Sequence, residues 1–132
     1  MSMRAKILLA EAATHHPDGT VSILRSGITH IRGSGPPYRF KGCLVIRIEG
    51  ELSDKGMHGF ELHCMDEDGG EVLPPLKGQF EVPKGGGVNG LILGLAVAFK
   101  KIGRYVFSLR VDNVGLDTWT VSVVQQQKGS KS

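Results

Sequence analysis

The sequence predicts an all-β protein: a two-sheet antiparallel β-sandwich, immunoglobulin-like or jelly-roll-like, of about eight strands. Three observations carry that expectation. Apolar and polar residues alternate with a period of two, most clearly from Gly103 to Val124, where Tyr105, Phe107, Leu109 and Val111 interleave with Val106, Ser108 and Arg110. Gly, Pro, Asp and Asn cluster between the alternating runs at sandwich spacing. No stretch carries a firm helical period.

Ala5 to Thr14 reads as a strand with Ile7 and Leu9 on one side, although Ala10, Ala12 and Ala13 also suit a helix. His15-His16-Pro17-Asp18-Gly19 is a turn. Thr20 to Arg32 reads as one strand carrying Val21, Ile23, Ile28 and Ile31, bulged or kinked at Ser26-Gly27. A loop at Gly33 to Pro37 precedes a long strand from Phe40 to Leu52. Leu44, Ile46 and Ile48 point one way there, with Leu52 an optional fourth; Arg47, Glu49 and Glu51 point the other.

After a turn at Ser53 to Gly56, His58 to Met65 forms a strand with Phe60, Leu62 and Cys64 inward. Asp66-Glu67-Asp68-Gly69-Gly70 is a tight acidic turn, and Glu71 to Leu73 a short stub ended by Pro74-Pro75. Leu76 to Val82 follows as a strand with Phe80 and Val82 on one face, then a flexible loop at Pro83 to Gly87. Val88 to Phe99 is apolar on both parities, as a strand covered on both sides or a short helix would be. The strand is preferred because Gly90 and Gly94 would each weaken a helix by about 1 kcal/mol. The last hairpin turns through Asp112, Asn113 and Gly115, bringing Trp119, read as core, alongside Val121 and Val123. Residues 1–124 form a single domain on this reading, and 125–132 a polar, frayed tail.

A chain of 132 residues, 40% hydrophobic and 22% charged, can bury a core without staples. The net charge of +3 is mild, and the basic residues are spread from Arg4 to Lys131. Aromatic residues are 6% of the chain and mostly on inward parity, so no nucleic-acid stacking platform is expected. Ile7 to Ala10 is too short for a signal-peptide core, and Leu91 to Phe99 for a membrane span. Cys43 and Cys64 then read as small buried hydrophobes in a reducing compartment, and the protein as cytoplasmic.

Three segments resemble, in order, a family of small uncharacterised bacterial immunoglobulin-like β-sandwich proteins. They are Leu8-Leu9-Ala10-Glu11-Ala12-Ala13 with Pro17-Asp18-Gly19 and Ile23 to Gly27; Asp66-Glu67-Asp68-Gly69 with Leu73-Pro74-Pro75 and Gln79-Phe80-Glu81-Val82; and Gly103 to Asp112. The likeness spans residues 5–124, with Gly85 to Lys101 departing from the pattern. It implies the sandwich fold and transfers no functional residue.

The remaining motifs favour plain structural roles. His15 and His16 with Asp18 sit in one turn, and adjacent residues rarely converge on an ion that wants four ligands. His63 and Cys64 must point to opposite faces of a strand, which disfavours a metal or thiolate centre. Gly85-Gly86-Gly87 lacks the Lys-Ser/Thr of a phosphate loop. The expected function is a non-catalytic protein–protein interaction module with no cofactor, binding an unknown partner or its own copy and neither nucleic acid nor membrane. Arg47 and Arg110, both on outward parity, and Tyr38 and Asn89, in the loop regions Gly33 to Tyr38 and Pro83 to Asn89, are the candidate contacts. Open sheet edges would recruit a further strand. The alternative is a small-ligand or calcium-binding sandwich in which Asp66, Asp68, Asp112 and Asp117 gather at one end.

Overall fold

Nine strands build the protein, in a computed structural model that describes residues 3–126. They are β1 (Arg4–His15), β2 (Val21–Ser26), β3 (His30–Gly33), β4 (Tyr38–Gly50), β5 (Gly56–Met65), β6 (Leu76–Val82), β7 (Gly87–Phe99), β8 (Gly103–Val111) and β9 (Val114–Gln125). A 3-10 turn at Leu52–Asp54 joins β4 to β5. One sheet has the order β2-β1-β4-β7, the other β3-β9-β8-β5-β6. The ambiguous apolar run is a strand: Gly87 to Phe99 pairs residue by residue with Gly50 to Tyr38.

The sheets meet through the parity that the alternation marks. Leu9, Leu44, Ile46 and Ile48 of one sheet and Phe107, Leu109, Val111 and Val121 of the other are wholly buried. Each such side chain contributes about 1.5–3 kcal/mol on burial. The face fails at two margins. Leu52 belongs to the 3-10 turn and is 67% exposed, so it is not a core residue. Trp119 packs against the core but stays half-buried, its Nε1 donating to the Ile28 carbonyl at 2.8 Å.

The single strand expected over Thr20 to Arg32 is two strands in opposite sheets. Arg25 and Gly27 take positive φ of 51° and 82°, which breaks the extended run. The amides of Gly27 and Ile28 both donate to the Leu9 carbonyl, at 2.9 and 3.1 Å. The chain then crosses to the other sheet, where β3 pairs with β9 in parallel, unlike every other ladder. The free edge of β1 is thereby satisfied without a strand. Leu9 is covered by residues 27–28, and the Ile7 amide donates to Asp117 Oδ2 at 2.8 Å.

Beyond Ala10, β1 leaves β4 and continues with β2 as a hairpin arm. The arm folds over the outer face of the four-stranded sheet. Ala13 packs on Ala10, Cys43 and Val45, and Val21 Cγ2 lies 3.6 Å from where a Cβ on Gly90 would stand. That contact joins strands at opposite ends of the sheet order. It explains why Cys43 and Val45, on the outward parity of β4, are only 5% and 8% exposed. Where β1 departs, Gly42 has no room for a side chain, because a Cβ would stand 2.5 Å from the Ala10 carbonyl oxygen.

Candidate functional site

Four strands lie at sheet edges, and three are defended. β2 is six residues long and carries exposed Arg25 beside its bend. β3 is four residues with exposed Arg32. β6 presents exposed Lys77 and Glu81. Charges, brevity and bends are the usual means of keeping an edge from recruiting another strand. β7 has none of them: 13 residues without Asp, Glu, Lys, Arg or Pro, hydrogen-bonded to β4 along one side and, among the described residues, to no strand on the other.

Its centre is apolar on both faces. Leu91 and Leu93 face inward but stay half-buried, because the opposite sheet ends there at the short β6. Ile92 points outward, beside Val45 and, one strand further, Leu8. Val88, on the same outer parity, is 54% exposed. Asn89 Nδ2 donates to the Glu81 carbonyl at 2.9 Å and pins the start of β7 to β6. The site is thus an uncharged backbone edge lined by aliphatic side chains.

The residues singled out in the sequence do not form a site together. Arg47 lies on β4 and Arg110 on β8, in different sheets, so they share no surface. Arg47 is instead paired with Glu49 at 2.7 Å. Tyr38 is no loop contact: it begins β4, is 5% exposed, and its hydroxyl donates to Gln125 Oε1 at 2.7 Å. Gln125 Nε2 and the Gln126 amide bind the carbonyls of Ser34 and Gly33, so the Gly33–Tyr38 loop is tied to the end of β9. Gln125 therefore belongs to the fold rather than to a tail; 127–132 lie outside the described residues.

The four carboxylates of the calcium alternative also stay apart. β5 and β8 pair from Phe60 with Val111 to Met65 with Val106, which puts Asp66–Asp68 and Asp112 beyond opposite ends of that ladder. Asp66 Oδ1 accepts from the amides of Asp68 and Gly70 within its own turn, and Asp117 is engaged with Ile7. Among the described residues no group of three or more His, Cys, Asp or Glu is disposed to hold a metal ion.

His63 and Cys64 diverge as alternation requires. His63 bonds Glu61 and Glu71 at 2.9 and 3.1 Å on the surface, while Cys64 is 1% exposed and burial pushes its thiol up to about 12. His16 Nε2 meets Ser22 Oγ at 2.6 Å across the arm.

Sequence reasoning missed His58. Its Nδ1 lies 2.6 Å from Asp112 Oδ2, its Nε2 lies 2.5 Å from the Asp54 carbonyl, and its ring stacks on Phe80. Asp112, then the Asp54 carbonyl, raise its pKa above the ordinary 6.5. The signal was the turn Asp112-Asn113, whose positive φ values of 50° and 67° swing the carboxylate back over β5. This clamp closes the β8–β9 turn onto the β4–β5 corner and is structural.

Two layers of β-structure with one long, uncharged edge define an all-β sandwich. The chain belongs to the family of unknown function DUF6941, which matches residues 6–124. Compared with curated proteins, it matches none.

Proposed function

We propose that the protein is a non-catalytic interaction module that binds another protein by adding a strand to the open edge of β7. The observation that carries the reading is the contrast among the four edges: three carry charge or stop short, and the longest carries neither. Main-chain hydrogen bonds along β7 would supply affinity, and side chains beside Leu91, Ile92 and Leu93 selectivity.

The strand order favours an immunoglobulin-like assignment. β3-β9-β8-β5-β6 follows the front sheet of such domains, and β1-β4-β7 the back sheet without its last strand. On that reading the missing strand would have covered β7. A bacterial cytoplasmic setting belongs to the same proposal, supported by the buried free thiols Cys43 and Cys64. No membrane or nucleic-acid partner is proposed.

Site-specific photocrosslinking in the native host tests the edge. A benzophenone side chain replacing Ile92 is compared with one replacing Lys77 on the β6 edge. Protein adducts from the first position and few from the second are expected. Equal yields from both, or none from position 92, would overturn the reading.

A further inference from the structure

The centre of β7 reads Gly90-Leu91-Ile92-Leu93-Gly94, the same in both directions. A two-fold axis between two identical antiparallel strands sets each residue against its mirror position, and an axis at Ile92 here places like residues opposite one another through the centre. Accepting β7 as the binding edge, we propose that its occupant is β7 of a second copy of this chain, paired antiparallel about a two-fold axis at Ile92.

An axis at Ile92 sets Leu91 against the partner's Leu93, Gly90 against the partner's Gly94 and Val88 against the partner's Ala96. Each pair shares a parity, so inward residues meet inward ones. β7 holds no charge, so none is set against its own copy across the axis. On the outer face the row Leu8, Val45, Ile92 runs on into the same row of the partner. The glycines matter on this face. Val21 of the arm already occupies the space above Gly90, and a glycine opposite leaves it undisturbed. On the inner face, Leu91 and Leu93 gain the cover that β6 is too short to give them.

The assembly also closes. Each copy has one undefended edge, so joining two uses up both and leaves β2 and the covered arm at the outer margins. A dimer is expected rather than a fibre.

Charge complementation across the axis tests this. Sedimentation of the unaltered protein should give a dimer. Ile92→Lys and Ile92→Glu each set like charges face to face, and each should raise the dimer dissociation constant about a hundredfold. An equimolar mixture of the two should recover a heterodimer, which also demonstrates that both variants are folded. Ile92 faces outward, where a Lys stem can lie along the sheet with its head in water.

A monomer at sub-millimolar concentration, variants that remain dimeric, or a mixture that stays monomeric would overturn the self-pairing. The edge reading fails separately. If the unaltered protein is monomeric while position 92 crosslinks to a different protein, the edge stands and the second copy falls. If position 92 crosslinks to nothing, both fall.

Discussion

Replacing Asp117 with alanine should remove the hydrogen bond that its carboxylate on β9 accepts from the free edge of β1. Ile7 is 4% exposed, and its amide donates to Asp117 Oδ2 at 2.8 Å with no strand beside it to take over. A hydrogen bond to a charged acceptor is worth about 1.5–3 kcal/mol, and an orphaned buried amide costs about 1–3 kcal/mol. Asp117 is itself half-buried, so solvent screening pulls the expected loss to about 2 kcal/mol. In a urea titration with a slope of about 1–3 kcal/mol per molar, the midpoint falls by about 1 M. Asp117→Asn keeps a neutral acceptor and should lose about half as much. The Ile7 amide should exchange with solvent deuterium faster in the alanine variant. An unchanged midpoint with an Ile7 amide still protected would refute the argument that this carboxylate caps a strand edge.

His58 makes stability depend on pH. Its folded pKa is raised above 6.5, so the clamp contributes fully below that value and is lost as pH climbs through the folded pKa. Denaturation midpoints should decline over the pH range just above 6.5, and His58→Gln should flatten that decline; a parallel decline in the variant would assign it to other groups. Gly42→Ala forces a Cβ to 2.5 Å from the Ala10 carbonyl oxygen, which the backbone must yield to. It should destabilise by about 1–3 kcal/mol, and a neutral outcome in thermal unfolding would mean that the bend of β1 is slack. Cys43 and Cys64 are 5% and 1% exposed with thiol pKa values raised by burial, so neither should react with a disulfide reagent until the protein is unfolded. Fast labelling of Cys43 in the native protein would mean that the hairpin arm lifts off the sheet.

Much of the architecture was legible in the chain because alternation is a local property. The inward sets of β4, β5, β8 and β9 follow from period two alone, and Gly90 and Gly94 ruled correctly for a strand over Val88 to Phe99. The sites were less legible. Tyr38 follows two prolines and reads as loop, yet its hydroxyl reaches Gln125, 87 residues away. Arg47 and Arg110 share an outward parity, but parity refers each residue to its own strand and cannot say which sheet holds the strand. Asp112 looked like turn chemistry, which it is, and its bond to His58 spans 54 residues.

The amino-acid order by itself determined which segments extend, which side of each is oily, and which stretch lacks charge. Those follow from backbone sterics and side-chain chemistry within a few residues. The folded molecule alone decided that Gly27 passes the chain between sheets, that an arm covers Cys43, and that the uncharged stretch lies at a margin rather than in the middle. An uncharged strand is inert at the centre of a sheet and adhesive at its edge, and its place is set by partners far along the chain. That is why the surface proposed for pairing became visible only with the strand order.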